Sequence, residues 1–240
     1  MKHYPPVGEA HGKKEKVEAM FDAIAPRYDL LNRVLSMGID QTWRKKAVRL
    51  LEGDKPERIL DVATGTADLA LEAARLQAKS IVGVDISEEM LKIGREKIEQ
   101  RGLSDRITLR RGDSEKLPFS DSQFDAVLVA FGVRNFENLQ KGLTEIRRVL
   151  RPGGTVVVLE FSQPRVFPVK QLYSLYSRYV LPHIGGAISK DKGAYQYLPD
   201  SVARFPSGPD FLRRMEEAGF KKTTWKPLTF GIASLYKGYV

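Results

Sequence analysis

Hydrophobic positions along the chain fall into two alternating periods. Short apolar runs rich in β-branched residues stand at 58–62, 80–84, 106–110, 124–130 and 154–160, and these predict strands. Between them the apolar positions take up helical spacing over 68–77, 87–101 and 138–150. Strands alternating with helices predict a parallel, doubly wound sheet. Ser87 is placed to cap the helix that follows it, with Glu88 and Glu89 in the first turn, where carboxylates oppose the positive end of the helix. Leu150-Arg151-Pro152-Gly153-Gly154 breaks the helix before it and delivers the chain into Thr155 to Phe161. Residues 163–208 then interrupt the alternation. A helix around 208–218 ends at Gly219. The last two strands, about 221–228 and 230–239, are joined by so little chain that they must form a hairpin. Seven strands, one of them reversed, are expected.

Ahead of the first strand the pattern is helical. Val17, Met20, Phe21 and Ile24 share a face over 12–25, and Pro26 is expected to end or kink that helix. Tyr28 to Trp43 mixes apolar anchors with small polar groups, and a second helix is expected from about Thr42 to Leu51. The 240 residues suit one domain, 1–240. It would carry an N-terminal helical extension over 1–52 and a lid-like insertion over 163–208. In that insertion Tyr173, Tyr176 and Tyr179 recur every third residue, which places them on one broad helical side. Such a stripe serves either core packing or an apolar channel.

Composition removes several classes of chemistry. There is no cysteine, so disulfides and thiolate catalysis are excluded. Histidines stand only at 3, 11 and 183, which argues against a histidine-based metal site. The longest apolar runs are strand-sized, so no membrane span is expected. The start of the chain lacks the apolar stretch of a signal peptide, and a cytosolic protein is expected. The net charge is +9, with basic residues gathered at Arg44-Lys45-Lys46 with Arg49, at Arg106 with Arg110-Arg111, and at Lys141 with Arg147, Arg148 and Arg151. Solvated helix faces account for such clusters, and so would an anionic membrane surface or a nucleic acid. Few aromatics interleave with them, which counts against a stacking surface for single strands.

The candidate chemistry begins at Ile59-Leu60-Asp61-Val62-Ala63-Thr64-Gly65-Thr66-Ala67-Asp68-Leu69-Ala70. A buried strand runs into a turn of small residues and then into a helix. Such a corner lets a ligand approach the backbone and offers it free N–H groups. Twenty residues after Gly65, Asp85 ends the second strand, a spacing that suits a carboxylate reaching a ribose hydroxyl. A dinucleotide fingerprint wants Gly-x-Gly-x-x-Gly, and here one glycine of the three is present. Asp61 at the end of the first strand, Asp85 with Ile86 at the second, Gly112-Asp113-Ser114-Glu115 after the third, and Pro-Gly-Gly before the fifth point instead to S-adenosylmethionine. Together with the terminal hairpin they are the features of the Rossmann-like methyltransferases.

Two stretches then resemble one family closely, the menaquinone and ubiquinone C-methyltransferases. They are Tyr28-Asp29-x-x-Asn32-x-x-Leu35-Ser36-x-x-x-Asp40-x-x-Trp43, and Arg148-Val149-Leu150-Arg151-Pro152-Gly153-Gly154 running to Glu160-x-Ser162. Phe131-Gly132-Val133-Arg134-Asn135 is similar to that family as well. The similarity covers nearly the whole chain. Asp40 stands where many members have histidine, Arg151 where lysine is usual, Ala63 and Ala67 where glycines are often found, and Ser114 where alanine is. The resemblance implies methyl transfer to a ring carbon of a prenylated quinol, with demethylmenaquinol favoured over the benzoquinol of ubiquinone synthesis. Another small molecule, or a nucleic-acid-binding module that retains the fold, stands as an alternative. The resemblance implies cofactor contacts at Thr66, Asp85, Asp113 and Ser114, beside those expected at Asp61, Gly65 and Ile86 from the strand ends and the loop. The oligomeric state stays open, a homodimer being one option.

A ring carbon becomes a good nucleophile once the neighbouring hydroxyl loses its proton. The site therefore needs a proton acceptor, a stabiliser for the phenolate and close positioning. Asp68, at the cofactor loop, is the candidate base. Arg134 suits the phenolate oxygen, Asn135 that oxygen or a relay water, and Tyr28 the orientation of the ring. Asp29 and Asn32 read as loop-fixing hydrogen bonders, and Glu160 as a structural partner for a basic side chain. The 163–208 insertion and the basic clusters would hold the enzyme at an anionic membrane surface.

Overall fold

The computed structural model describes residues 12–176 and 192–240. Its centre is a seven-stranded sheet made of β1 (Arg58–Val62), β2 (Ser80–Asp85), β3 (Ile107–Arg111), β4 (Phe124–Ala130), β5 (Leu150–Phe161), β6 (Lys221–Leu228) and β7 (Ala233–Tyr239). The order is β3-β2-β1-β4-β5-β7-β6. β1 to β5 run parallel, and β7 is antiparallel to both its neighbours. The order reverses between β1 and β4. A crevice at the carboxyl ends of strands at such a point is where ligands bind in open α/β sheets.

The central strands are apolar throughout because both faces are covered. Side chains alternate across the pleat. Ile59, Ile81, Leu128 and Val157 pack on one side with the helices α2 (Ile39–Arg49) and α3 (Asp68–Ala73). Leu60, Val62, Val127 and Val158 pack on the other, with Leu143 and Ile146 of α5 (Leu139–Val149) and Phe211 of the helix Pro209–Glu217. A satellite cluster joins α1 (Lys13–Ser36) to α4 (Glu88–Gln100) through Val17, Met20, Leu31 and Met90. Ser87 caps α4 as expected, accepting from the Met90 N–H at 3.2 Å.

Several boundaries depart from the sequence reading. α1 does not end at Pro26 but runs through it to Ser36. An interior proline removes a backbone donor and costs about 3 kcal/mol. Burial of Ile24, Ala25 and Leu31 on either side of it, and the edge contact of Phe21 on Tyr28, offset that. α2 begins at Ile39 rather than near Thr42, because Met37 and Gly38 both take left-handed backbone and turn the chain sharply. α3 is shorter than expected and gives way to a 3₁₀ turn at Ala74–Leu76. β5 starts at Leu150. Phe124 pairs with Leu150 while Ala126 pairs with Thr155, so Arg151 to Gly154 are looped out of register. A Cβ on Gly154 would lie 2.8 Å from the Arg151 carbonyl oxygen, which is why a glycine stands there. β7 begins at Ala233, after a turn at Thr229–Gly231 in which Phe230 has a positive φ of 56°.

Within 163–208 the described residues form α6 (Val169–Leu175) and α7 (Lys192–Arg204). Pro209–Glu217 is then α8. Tyr179, Val180, Leu181 and all three histidines lie outside the described residues. Among the described residues no helix is long and apolar enough to cross a membrane.

Candidate active site

The loop after β1 is held from beneath. The Thr64 N–H donates to the Val84 carbonyl at 3.0 Å, the Gly65 N–H to Asp85 Oδ2 at 2.8 Å, and the Thr64 hydroxyl to Asp61 Oδ2 at 2.6 Å. Ala63, Gly65 and Ala67 all have positive φ. Each alanine there costs about 1–2 kcal/mol that a glycine would not. Crowding above the loop is severe, since a Cβ on Gly132 would lie 2.5 Å from the Ala63 Cβ. Ala67 faces the other way. It packs on Gly94 of α4, where an added Cβ would lie 3.2 Å from it, so its methyl acts on helix packing and not on the turn's ligand face.

A narrow cavity of ≈ 80 Å³ opens at the carboxyl ends of β1, β2 and β4. Gly65, Asp85, Ile86, Asp113, Ser114 and Asn135 line it, and α1 crosses it with Lys14 and Tyr28. Asp85 accepts the Gly65 N–H and, at 3.0 Å, the Ser87 N–H. Burial pushes its pKa up, and these amides oppose the rise. Asp113 Oδ1 accepts the Glu115 N–H at 2.9 Å, and Oδ2 is paired with Lys14. Asp61 lies beneath the loop, fully buried, with no hydrogen bond to Oδ1. Burial pushes its carboxyl up to about 7, against the pull of the Thr64 hydroxyl and Arg44.

The donor set fits S-adenosylmethionine. That molecule presents an ammonium, a ribose diol and an adenine amine, all hydrogen-bond donors, beside a sulfonium cation. The chain offers carboxylates at Asp85 and Asp113 in the wall of the slot, and Asp61, which lines neither cavity, lies buried beneath the loop with an unpartnered oxygen. A dinucleotide's diphosphate would meet those same carboxylates as like charges.

A second cavity, of ≈ 310 Å³, lies between α1, α2, α6, α7 and the β6–β7 turn. Its wall is mainly apolar, with Met20, Ile24, Leu31, Trp43, Phe161 and Leu172 among its residues. Phe21, Tyr28 and Phe131 line both cavities and so form their common wall. Burial pushes the Tyr28 phenol up, opposed by the Asn32 side chain and by Arg44 and Arg134. Arg134 is held on several sides. It bonds Glu160 Oε1 at 2.7 Å, the Phe131 carbonyl, and the Ser201 hydroxyl at 3.3 Å. Glu160 is itself fully buried and also accepts the backbone N–H groups of Arg134 and Phe161. Asn135 accepts the Tyr197 hydroxyl at 3.1 Å.

Tyr28, Arg134 and Asn135 are thus brought together at the junction of the two cavities. Asp68 is not. It lines neither cavity and is paired with Lys97 of α4. Burial would raise its pKa, but Lys97, Arg44 and Arg33 outweigh this and hold it below the usual carboxylate range. A carboxylate so held is a poor proton acceptor. Thr66 also turns away from the narrow cavity, its hydroxyl donating to Asp29 at 2.6 Å, and Lys97 joins Asp29 at 2.9 Å. Arg44 and Tyr197 went unread in the sequence. Arg44 directly follows the first family signature, which ends at Trp43, and its neighbours Lys45 and Lys46 made it look like part of an exposed basic cluster.

Comparison with known proteins bears on the family and the fold. The profile of the ubiE/COQ5 methyltransferase family matches residues 9–240. The chain is 51% identical over 228 residues to the ubiquinone/menaquinone biosynthesis C-methyltransferase UbiE of Geotalea daltonii, covering 94% of this chain and 97% of that protein. It is 49% identical over 225 residues to the demethylmenaquinone methyltransferase of Bacteroides fragilis, covering 93% and 92%. Among solved structures, a SAM-dependent methyltransferase of Thermotoga maritima superimposes with a TM-score of 0.65 at 21% identity, over 92% of this chain and 98% of that one. The [4+2]-cyclase SpnF does so with 0.62 at 24%, over 91% and 77%. The last pair speaks to the fold alone. A match over nearly the full length, with the paired cavities in place, means that this chain belongs to the ubiE/COQ5 methyltransferase family.

Proposed function

We propose that the protein methylates a ring carbon of a prenylated quinol, converting demethylmenaquinol to menaquinol. One observation carries this reading. A carboxylate-lined slot and a larger apolar cavity share the wall made by Phe21, Tyr28 and Phe131, with Arg134 at the junction. Bound S-adenosylmethionine supplies an activated methyl group. Water takes the proton of the quinol hydroxyl next to the acceptor carbon and, after the transfer, that of the ring carbon, and the ring carbon forms the new bond as the sulfur–methyl bond breaks. The ring then loses its proton and regains aromaticity. Arg134, fixed by Glu160, stabilises the phenolate oxygen in an apolar surround where such a charge interaction is strong. Asn135 and Tyr28 orient that oxygen and the ring. Asp85 and Asp113 hold the ribose and adenine, and Asp61 the ammonium. Asp68, tied to Lys97, is assigned to bracing the cofactor loop against α4 rather than to taking the proton.

The membrane contact belongs to the same reading. Met37, Phe167, Leu172 and Phe230 are exposed around the mouth of the apolar cavity, by 82%, 77%, 62% and 73%. Met37 and Phe230 are held out by left-handed backbone, at about 1–2 kcal/mol each. The segments that form this rim, 30–41, 163–176 and 225–232, expose Arg33, Arg165, Lys170 and Lys226, while their one acid, Asp40, is buried. Apolar side chains ringed by cations suit an anionic bilayer, the phase in which a prenylated quinol dissolves.

The deciding experiment incubates the protein with methyl-labelled S-adenosylmethionine and either the prenylated naphthoquinol or the benzoquinol. A carbon-bound methyl on the naphthoquinol is expected. Label on neither overturns the reading, and label on the benzoquinol alone moves the substrate. Flotation with anionic but not zwitterionic vesicles, lost on Phe230→Ser with Phe167→Ser, tests the rim.

A further inference from the structure

Arg44, on α2, is a buried cation in the wall of an apolar cavity. Its side chain is 8% exposed and that of its partner Asp40, one turn earlier, 4%. The Ser36 hydroxyl holds Asp40 from the other side at 2.7 Å. All three residues line the cavity. Burying an ion pair is expensive, and apolar residues of similar volume would pack the same space at least as well. The pair therefore wants a reason beyond stability.

Two observations supply one. The first is the place of Arg44 relative to Arg134. The Arg44 guanidinium lies 5.4 Å from the centre of the Phe131 ring. Phe131 stacks on Phe161 with centres 4.4 Å apart and planes at 27°. The Arg134 guanidinium lies 5.4 Å from the centre of Phe161. One stacked pair of phenyl rings thus carries a guanidinium at each member, and both cations line the same cavity. Both also ease ionisation of the Tyr28 hydroxyl, so their fields overlap at the wall shared with the cofactor slot. The second observation concerns donors. A guanidinium has five N–H groups. Among the described residues Arg44 makes one hydrogen bond, to Asp40. Arg134, by contrast, is bonded to Glu160, Phe131 and Ser201. Arg44 thus keeps more hydrogen-bonding capacity for a ligand than Arg134, of which Nη2 alone is uncommitted among the described residues.

A quinol differs from a simple phenol in carrying a second ring oxygen, opposite the first. We propose that Arg44 is the residue that reads that second oxygen. Its remaining N–H groups receive the oxygen para to the one held at Arg134, while Asp40 and Ser36 keep the guanidinium in place. The two cations then fix both ends of the ring, and the acceptor carbon between them faces the methyl donor. This rests on the quinol reading above and extends it to how a quinol is told from a monophenol.

The test compares a short-chain demethylnaphthoquinol with its analogue in which the oxygen para to the reacting hydroxyl is replaced by hydrogen. kcat/KM is measured for both on wild type, Arg44→Met and Arg44→Lys. A hydrogen bond to a charged group at this oxygen is expected to give wild type about a 10–100-fold preference for the quinol, beyond the analogue's intrinsic reactivity in solution. In Arg44→Met that excess disappears, with the analogue's own kcat/KM and the calorimetric affinity for S-adenosylmethionine kept within about threefold. Arg44→Lys, which keeps the charge but not the planar fork, retains part of the preference. A merely structural role would lower both substrates together and leave their ratio intact, and that result overturns the proposal. Should Arg44→Met fail to fold, as judged by its melting curve, Arg44→Gln against Arg44→Lys decides in the same way. If wild type methylates neither compound, it is the quinol reading that fails.

Discussion

The two cavities are built by opposite means. The cofactor slot is made mainly of loops at one edge of the sheet, each a few residues past a strand end, and its acids Asp85 and Asp113 are steadied by backbone amides, Asp113 also by Lys14 of α1. The apolar cavity is made of helices from both ends of the chain, and its charged groups facing the ligand are guanidiniums steadied by acids. Each arrangement matches what it receives. A cationic sulfonium with donor groups meets carboxylates, while a ring that becomes an anion meets arginines. With Phe21, Tyr28 and Phe131 between them, the guanidiniums pair with Asp40 and Glu160 and not with the carboxylates of the slot.

That contrast is broken most severely at Arg134. Arg134→Met removes the cation from the junction, and turnover is expected to fall about 10²–10³-fold with cofactor affinity by calorimetry little changed. A comparable loss of cofactor affinity would mean that the two sides are not separable. Asp85→Ala acts on the opposite side. Charge-assisted bonds to the ribose hydroxyls are lost, and cofactor affinity is expected to weaken about 10–100-fold. Unchanged affinity would reject its placement in the slot.

A smaller effect is expected at Asp61, and it is one of pH. Its carboxyl is held up near 7, so below that pH it is mostly protonated. An ammonium binds the ionised form, so cofactor affinity should rise with pH through about 7 and level off above, by about tenfold between pH 6 and 8. Asp61→Asn should flatten that dependence. In the cofactor-free protein the native state holds this proton where the unfolded chain, with an ordinary carboxyl near 3.8, has lost it. Asp61 therefore makes stability decline as pH rises from about 4 to about 7, and thermal unfolding across that window checks the sign.

The smallest effect on chemistry is expected at Asp68. Its pKa is lowered, so the stability it lends is present at neutral pH and is lost as pH falls through the depressed value. Asp68→Asn should lower the melting temperature while changing turnover at saturating cofactor by less than about threefold. A fall of tenfold or more, the size associated with losing a general base, would restore Asp68 to the proton transfer.

Legibility in the sequence followed the same divide. Gly65, Asp85 and Asp113 could be found from spacing because strand, turn and helix place them locally, and the register of β1 on β2 brings them to one edge. Asp68 sits in that same stretch, but its pairing was not legible there. Its partner Lys97 is 29 residues away on α4, and nothing local announces the pair. Arg44 was hidden for the opposite reason. Lys45 and Lys46 beside it are exposed, and only the wrap of α2 on Phe131 shows that this member of the run turns inward. Pro26 was expected to end or kink its helix, yet the apolar contacts on both sides of it carry α1 onward and put Tyr28 over the cofactor slot.

The sequence by itself determined the alternation of strands and helices, the reversed last strand and the cofactor edge, because periodicity and turn chemistry act over a few residues. Its two family signatures were legible in the same way. Tertiary structure alone decided which charges are paired, which face a ligand, and that Tyr28 and Phe131 stand between two cavities. Those outcomes depend on contacts such as that of Arg134 with Ser201, 67 residues away, where packing and desolvation set the geometry.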